Sequence, residues 1–202
     1  MPARTGEQFL KGLRGPREIW VDGERVSDVV DHPKLRGAAH ALAEVFDLQH
    51  KQPDICLTPD SETGEPIAFS HVPPRSRADL RRRHKALRAV SEYSVGLMGR
   101  TPDYMNVTYA GFAGSPVEWA GNGNEAGYDR LVAYQKFLRR NDISLTHTIV
   151  QPTVDKATGD APVAGNEHAL RKVGDTSNGI VVRGAKMLGT MAPLCEEVMA
   201  WP

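Results

Sequence analysis

The hydrophobic pattern of this 202-residue chain changes its period once, just after Asn141. Before that point apolar residues recur at helical spacing, as in residues 126–140, whose inner face would carry Leu131, Tyr134 and Leu138. After it the pattern alternates as in a strand. One face of that strand would carry Ile143, Leu145, His147 and Ile149, and the other Ser144, Thr146 and Thr148. We therefore predict an α+β chain, with a helical domain at 1–140 and a β domain at 141–202.

Local sequence patterns predict four features in the first half of the helical domain. A capping box at 5–8 predicts a short helix that buries Phe9, Leu10 and Leu13. The Asp22-Gly23 pair predicts a hairpin over residues 19–26. A second helix is predicted from Asp31, with apolar positions at Leu35, Ala38, Ala39, Leu42, Val45 and Phe46. Residues 50–75 contain many prolines and predict a loop with one edge strand near 67–69.

The longest predicted helix runs from Ser76 to Met98. Its inward stripe would be Leu80, Leu87, Val90 and Leu97, and Gly99 would cap it in the left-handed conformation. Its arginines form a solvated face or a surface for an acidic partner domain, and a nucleic-acid-binding helix is the alternative. Small residues in 107–127 predict packed helical pieces joined by a turn at 121–124. Strands are predicted at 179–188 and within 195–201, after a loop at 155–178.

Charge and composition narrow the possible partners. Lys and Arg together number 25, as do Asp and Glu, so neither nucleic acid nor a membrane is favoured. We find no basic-then-apolar leader and no apolar run of about 18 residues, and we expect a cytoplasmic protein. Cys56 and Cys195 predict two buried reduced thiols rather than a disulfide. The seven histidines lack metal-ligand spacing, and we predict no metal site.

Residues 96–106 place Arg100, Asp103 and Tyr104 close together after a glycine-containing helix end. An arginine offers a planar fork of donors, and a tyrosine offers a hydroxyl on a flat apolar ring. This chemistry suits an aromatic ligand that carries a hydroxyl or a carboxylate. A plain helix cap with a surface arginine is the other interpretation that these residues allow. In the same way, His147 is either a hydrogen-bonded core histidine or a catalytic group.

Three segments together resemble a known family: 99–104 (GRTPDY), 145–148 (LTHT) and 179–186 (GIVVRGAK). They are similar to the large oxygenase component of the 4-hydroxyphenylacetate 3-hydroxylases, colinearly from about Thr5 to the end of the chain. The resemblance implies an acyl-CoA-dehydrogenase-like fold. Of that fold the chain would hold the helical N-terminal domain and the start of the antiparallel β domain, with the C-terminal helical bundle absent. The implied activity is the flavin-dependent hydroxylation of a phenol such as 4-hydroxyphenylacetate, ortho to its hydroxyl, to a catechol.

The resemblance also assigns site residues. Substrate would be bound by Arg100, Thr101, Pro102, Asp103, Tyr104 and His147, of which Arg100, Tyr104 and His147 would be catalytic. The cofactor would be contacted by His147, Thr148, Ile149, Thr153, Val154, Asp155, Lys156, Leu188 and Thr190, the last on a strand face shared with Ile180, Val182 and Leu188. That cofactor would be FAD, supplied as FADH2 by a separate flavin reductase. The full-length protein would be a dimer or tetramer.

Two other functions stay open. The segment 179–186 also resembles flavin- and iron–sulfur-dependent 4-hydroxybutyryl-CoA dehydratases, although no cysteine lies near Arg100 to ligate a cluster. The second is a non-catalytic remnant that only binds a partner subunit. We expect the 202 residues alone to bind FAD weakly and to show no turnover. The β domain would end after two or three strands, which leaves an apolar face around Ile143, Leu145, Ile180 and Val182 uncovered.

Overall fold

The computed structural model describes residues 3–152 and 168–201. In that part of the chain seven α-helices are present: α1 (Gly6–Leu13), α2 (Arg36–Lys51), α3 (Pro53–Cys56), α4 (Arg77–Tyr93), α5 (Tyr104–Ala113), α6 (Pro116–Trp119) and α7 (Glu125–Asn141). Short 3₁₀ helices lie at Phe69–His71 and Ala192–Leu194.

Eight short strands complete the described part: β1 (Ile19–Val21), β2 (Glu24–Val26), β3 (Leu57–Pro59), β4 (Pro66–Ala68), β5 (Leu145–Thr148), β6 (Arg171–Thr176), β7 (Gly179–Arg183) and β8 (Glu197–Ala200). They form two-stranded sheets, in which β1 pairs with β2, β3 with β4, β5 with β8, and β6 with β7. The fold of the described residues is therefore mixed α+β, as predicted.

These residues form two compact units. The first contains residues 3–145 and Pro193–Glu196, and it holds α1–α7 and the two hairpins β1–β2 and β3–β4. The second contains the remaining described residues, with β6, β7, β8 and most of β5. The domain limits proposed from the sequence, 1–140 and 141–202, stay a prediction.

Helix α1 begins as its capping box predicts. The Thr5 hydroxyl accepts a hydrogen bond from Gln8 N, and the Gln8 side chain accepts one from Thr5 N. Phe9 and Leu13 are buried, and the Phe9 ring stacks on Phe46 of α2 with centroids 4.6 Å apart. Burial of a side chain of this size stabilises by roughly 1.5–3 kcal/mol, so this contact fixes α1 on α2.

The β1–β2 hairpin also follows its local signal. Asp22 and Gly23 adopt positive φ angles of 53° and 83°, which a two-residue turn of this type requires. The segment that follows the hairpin differs from the prediction in where its helix begins. Residues 28–35 form turns, held by a hydrogen bond from His32 N to Asp28 O, so α2 begins at Arg36 rather than Asp31. Ala38, predicted to face inward, is exposed because the buried face of α2 starts at Ala39.

The predicted loop at 50–75 contains more structure than expected. Helix α3 and the β3–β4 hairpin occupy it, with Leu57 opposite Ala68 in an antiparallel register. The predicted edge strand near 67–69 is present as β4. Its partner β3 was missed, because the ladder is only three pairs long and its loop-side pair is Pro59 with Pro66, which reads as a loop in the sequence.

Helix α4 is shorter than predicted, and its buried face matches the predicted stripe only in part, since Val90 is buried and Leu87 half-buried. It begins after the Ser76 cap but ends at Tyr93, where Val95 and Gly96 take the positive φ angles assigned to Gly99. Leu80 and Leu97 of the predicted stripe are 53% and 88% exposed. The buried residues are Arg83, Ala86, Ala89 and Val90. Small alanines allow close approach to α2 and α3, where Val45, Leu48 and Cys56 complete the core cluster.

Two strands of the second unit differ from the predicted pattern. Strand β6 lies within the predicted loop at 155–178, and it pairs with β7 through a register that shifts between Lys172 and Gly174. Strand β7 ends at Arg183 rather than Leu188. All five residues of β7 are exposed, as are most of those of β6. The predicted strand at 179–188 is thus present in its first half as β7. Strand β6 was missed because it has no buried face and therefore carries no alternation by which a strand is found in a sequence.

Candidate functional site

The Arg100–Tyr104 stretch lies in the first unit at the start of α5. Asp103 immediately precedes the helix and Tyr104 is its first residue. The Arg100 guanidinium carbon lies 5.2 Å from the centroid of the Tyr104 ring, and Nη1 donates to Gly99 O at 2.9 Å. Arg100 is exposed and Tyr104 is half-buried. An arginine over an aromatic face is worth about 0.5–1 kcal/mol at an exposed site, so the structure holds these two predicted site residues together.

The rest of α5 fixes where this pair lies. Its buried residues are Met105, Asn106, Tyr109 and Ala110, and the helix packs on α7. The Tyr109 and Tyr134 rings meet edge to face with centroids 5.1 Å apart. Edge-to-face contacts of this kind are worth about 0.5–1.5 kcal/mol beyond the burial itself. The first turn of α5 is therefore held by packing along the whole helix.

Asp103 differs from its neighbours because its carboxylate is turned into the protein. It lines a partly open cavity of about 40 Å³, and its Oδ1 is buried without a hydrogen-bond partner among the described residues. Burial raises the pKa of the Asp103 carboxyl above its ordinary value, and a hydrogen bond from Thr101 opposes that rise. Thr101 is half-buried and Pro102 is buried beside the same cavity.

We expect Asp103→Asn to raise the thermal midpoint at neutral pH and to lose that advantage in acid. The raised pKa means that ionising Asp103 costs folding free energy, so wild-type stability falls as pH rises from about 3.8 through the raised value. Asparagine carries no such cost. His71, Asp142 and Cys56 are the titratable groups that face Asp103, and all are retained.

Asp79→Asn serves as the control with the opposite sign. Hydrogen bonds from the Arg75 backbone and the Ser76 side chain lower the pKa of Asp79, which is half-buried at the start of α4. Its ionised form is therefore stabilising, and the contribution is present above about pH 3.8 and lost below it. Thermal midpoints of the three proteins between pH 3 and 8 test both signs. An Asp103→Asn difference that grows in acid would contradict the assignment.

A buried polar network beside the cavity was missed from the sequence. Asp142, just after α7, has a φ of 47°, and its Oδ1 lies 3.3 Å from His71 Nε2. Its Oδ2 accepts hydrogen bonds from Gln49 Nε2 and Arg4 N, both at 3.0 Å. Burial alone would raise the pKa of Asp142, but the contact with His71 and these hydrogen bonds outweigh it and the pKa is lowered. Because His71 and Asp142 lie 71 positions apart, no local pattern connects them.

His147 lies in the second unit, on β5. The more buried face of this strand is the one that carries Thr146 and Thr148, although Leu145 on the other face is buried as well. Thr146 and Thr148 are buried, and their hydroxyls donate to Thr190 O and Met187 O respectively. His147 points to the other side and is half-buried, and Ile149 is exposed. The strand does place alternate residues on opposite faces, as the sequence pattern indicates. The polar face can be buried because backbone carbonyl groups within residues 187–190 accept hydrogen bonds from its hydroxyls.

The candidate flavin-contacting residues that the structure describes lie near the hydrogen bonds that join the end of β5 to the segment after β7. Met187 N donates to Val150 O at 2.8 Å, and Lys186 Nζ donates to Ile149 O at 2.9 Å. Leu188 and Thr190 follow the end of β7, so they do not share the strand face of Ile180 and Val182 as predicted. Leu188 has a φ of 61° and is 77% exposed. The candidates Thr153, Val154, Asp155 and Lys156 lie outside the described residues.

These residues fit a flavin. Its ring system is flat, with apolar faces and a polar edge that proteins bind through hydrogen-bonding groups. The side chains of Ile149 and Leu188 are exposed and offer apolar surface, and the imidazole of His147 is half-buried. The Thr148 hydroxyl already donates to a carbonyl, so toward a flavin it retains only its acceptor lone pairs.

The described residues also bear on disulfides, metal sites and membrane-spanning helices. Cys56 and Cys195 are buried and not joined by a disulfide, as predicted. Within residues 3–152 and 168–201, no three His, Cys, Asp or Glu side chains are grouped in a way that would hold a metal ion. No helix in the same residues has the length and apolar character needed to span a bilayer.

Comparisons with known proteins cover nearly the whole chain. The family model described as 4-hydroxyphenylacetate 3-hydroxylase N terminal matches residues 5–202. The oxygenase component of 4-hydroxyphenylacetate 3-monooxygenase from Thermus thermophilus is 34% identical, covering 99% of this chain and 40% of that protein. A Rhodococcus opacus oxygenase component, named for 4-nitrophenol 4-monooxygenase and 4-nitrocatechol 2-monooxygenase, is 33% identical over 97% of this chain and 38% of its own length.

Solved structures agree with these relatives. The oxygenase component of 4-hydroxyphenylacetate 3-monooxygenase complexed with FAD and 4-hydroxyphenylacetate has a TM-score of 0.87 and 31% identity, covering 98% of this chain and 41% of that one. An archaeal 4-hydroxybutyryl-CoA dehydratase has a TM-score of 0.82 at 21% identity over 98% of this chain and 40% of that one, which shows a shared fold alone. The chain spans about two fifths of the length of the curated relatives it matches. It belongs to the family described as 4-hydroxyphenylacetate 3-hydroxylase N terminal.

Proposed function

We propose that this chain is the N-terminal part of a flavin-dependent aromatic monooxygenase that converts a phenol to a catechol. The observation that carries the proposal is the match over 5–202 to a family whose relatives are named as oxygenase components. One such relative has been solved with FAD and 4-hydroxyphenylacetate together. Overall, the phenol, O2 and reduced flavin give the catechol, water and oxidised flavin. An acyl-CoA-dehydrogenase-like arrangement of the complete protein is part of this proposal.

Arg100 and Tyr104 hold the substrate in this proposal. The guanidinium is permanently charged and exposed, and it offers several donors to a phenolic or phenolate oxygen. The Tyr104 ring beneath it limits the directions that the guanidinium can take. Thr101 and Pro102 supply the turn that leads into α5, and they contribute backbone contacts to the substrate. The Asp103 side chain is turned toward the cavity beside this turn.

His147 is the proposed proton acceptor. A phenol with a pKa near 10 is almost entirely protonated at neutral pH, whereas an imidazole with an ordinary pKa near 6.5 is mostly neutral and can accept a proton. Partial or full transfer of the phenolic proton to His147 raises the electron density at the ortho carbon. Its position on the more exposed face of β5 leaves the ring accessible to a ligand. The buried threonine hydroxyls on either side keep the strand in place.

FAD is held by Thr148, Ile149, Leu188 and Thr190, together with the predicted contacts at 153–156. When bound in its reduced form, this cofactor supplies the electrons that activate O2 for transfer to the ring. The names of the relatives as oxygenase components indicate that a separate reductase supplies reduced flavin. For the complete protein we propose a homodimer or homotetramer in the cytoplasm.

The direct test uses the complete protein with FADH2, O2 and 4-hydroxyphenylacetate or 4-nitrophenol. Catechol formation is measured by chromatography and O2 consumption by electrode. We expect catechol from at least one of these phenols, in proportion to the flavin reoxidised. Flavin reoxidation without catechol from either phenol, in a protein that binds FAD, would favour the non-catalytic alternative.

Arg100→Ala and Tyr104→Phe are expected to weaken phenol binding more than flavin binding. Removing one partner of a buried hydrogen bond costs roughly 1–3 kcal/mol, which is about five- to 150-fold in Kd. Arg77→Ala and Tyr93→Phe are matched controls, since Arg77 is exposed on α4 and the Tyr93 hydroxyl donates to Glu44 at the surface. Equilibrium titration of phenol and of FAD provides the measurement. Unchanged phenol affinity in both site variants would remove Arg100 and Tyr104 from the substrate site.

A further inference from the structure

A largely buried ion pair joins the segment before α1 to the segment before β8. Nη1 and Nη2 of Arg4 donate to the two carboxylate oxygens of Glu196, at 2.7 and 2.6 Å. Only 13% of the Arg4 side chain and 16% of the Glu196 side chain are exposed. Two parallel hydrogen bonds from a guanidinium to a carboxylate fix the direction of both groups as well as their distance. Glu196 is therefore held in one orientation.

Arg4 is itself held by further contacts within the first compact unit. Its backbone N donates to Asp142 Oδ2 at 3.0 Å, and its carbonyl oxygen accepts from Gln49 Nε2 at 2.7 Å. Its Nη2 also donates to Asp142 O, and its guanidinium carbon lies 5.3 Å from the centroid of the Phe46 ring. Both the backbone and the head group of the arginine are thus fixed, so it provides a rigid partner for Glu196.

Glu196 in turn makes two hydrogen bonds to Ser144. Its Oε2 accepts from Ser144 N at 3.0 Å, and its own N donates to Ser144 O at 2.9 Å. Ser144 directly precedes β5 and Glu196 directly precedes β8, and these two strands pair with each other. The side chain and the backbone of Glu196 therefore both act at the start of this pairing.

The start of the pairing matters because His147 lies three residues further along β5. Side chains alternate between the two faces of a strand, and a shift of one residue in the pairing moves each of them to the other face. A second backbone hydrogen bond, from Trp201 N to Thr148 O at 3.1 Å, lies on the other side of His147. The imidazole is thus carried between two connections, the first of which contains the ion pair.

We propose that Arg4 and Glu196 are positioning residues for the hydroxylation, whose ion pair fixes the start of β5 on β8 and thereby the place of the His147 imidazole. Neither residue contacts the phenol or the flavin. This role rests on the proposed function, in which His147 accepts the phenolic proton. A reacting group that is misplaced by about 1 Å can cost about 10²-fold in rate, even when the changed residue is far from the chemistry.

The first test removes either partner in the complete protein. Arg4→Ala and Glu196→Ala are expected to lower the catechol-to-peroxide ratio about 10- to 10²-fold at saturating phenol, without a matching change in the Kd for phenol or FAD. The double variant should be no worse than either single variant, because both remove the same pair. Arg4→Lys keeps the charge without the planar fork and should lie between wild type and Arg4→Ala. Arg14→Ala is the control, since Arg14 pairs with Asp31 at the surface.

Gly12→Ala disturbs the same ion pair without removing a charge. A Cβ at Gly12 would lie 2.4 Å from Glu196 Oε1 and 3.3 Å from Arg4 Nη1, so the carboxylate has to move. Alanine is a better helix former than glycine, so any loss of hydroxylation cannot come from a weaker α1. Gly37→Ala on α2 is the matched control, because a Cβ there meets no atom within 4 Å. A wild-type catechol-to-peroxide ratio in Gly12→Ala would contradict the proposal.

Hydrogen–deuterium exchange of the complete protein, without substrate, tests the positioning role separately from hydroxylation. Arg4→Ala should speed exchange in residues 144–148 and 196–201, and Arg14→Ala should not. Unchanged exchange in these segments would overturn the proposal, even if catechol formation falls. If wild type forms no catechol, the proposed function fails, and the exchange result still decides whether the ion pair fixes β5. Circular dichroism checks folding, and Arg4→Lys keeps both tests decisive if an alanine variant does not fold.

Discussion

His147→Ala in the complete protein is expected to lower the rate of phenol hydroxylation by about 10²–10⁴-fold. The imidazole lies on the more exposed face of β5, and the variant removes the proposed proton acceptor without touching the buried hydroxyls of Thr146 and Thr148. Reduced flavin should still react with O2, because that reaction does not require the phenol to lose a proton. The expected product balance therefore shifts from catechol to hydrogen peroxide.

The measurement follows catechol and peroxide together in single turnovers over a range of pH. A His40→Ala variant is the matched control, because His40 is exposed on α2 and has no part in the proposed site. Hydroxylation in His147→Ala should recover in part as pH approaches 10, where the phenol ionises in solution. Undiminished hydroxylation at neutral pH would return His147 to the role of a hydrogen-bonded structural residue.

Asp142→Ala is expected to lower the free energy of unfolding by about 3 kcal/mol or more, because several buried donors each lose their acceptor at a cost of about 1–3 kcal/mol. The variant leaves His71, Gln49 and the Arg4 backbone without their shared acceptor in the interior. Because the pKa of Asp142 is lowered, its contribution is present above about pH 3.8 and is lost as pH falls below it. Wild type and variant should therefore converge in acid.

Urea denaturation monitored by helical circular dichroism gives the free energies. Asp129→Ala provides the control, since Asp129 is exposed on the same helix α7. A loss below about 1 kcal/mol at neutral pH, the range of exposed ion pairs, would show that the network contributes little. A double-mutant cycle with His71→Leu then isolates the coupling between the two side chains.

Features with a short-range cause could be predicted from the sequence. The α1 capping box, the Asp22-Gly23 turn and the limits of α7 each depend on residues within one or two turns. The contact of Arg100 with Tyr104 belongs to the same class, because the residues are four positions apart at a helix start. A local pattern is sufficient in these cases because all the interacting groups lie in one window of the chain.

Features with a distant cause could not be predicted in this way. The end of α4 was placed five residues late because its arginines and leucines give a continuous helical pattern, while Val95 and Gly96 turn the backbone. The cavity beside Asp103, like the network at Asp142, depends on residues that are distant in the sequence, from α2, α5 and the segment after α7. No periodicity shows that Asp103 faces inward, and only the tertiary structure distinguishes it from Arg100.

The buried hydroxyls of β5 have a consequence for errors in strand pairing. In most half-buried strands the hydrophobic effect selects which face is covered, and it tolerates alternative apolar partners. Here Thr146 and Thr148 must each find a specific carbonyl, at Thr190 and Met187, so a shift by one residue would bury an imidazole and lose both hydrogen bonds. Hydrogen-bond geometry is directional and apolar contact is not. The strand register that exposes His147 is thus selected by matching hydroxyl donors to carbonyl acceptors. A register error is therefore more costly in this strand than in one whose buried face is apolar.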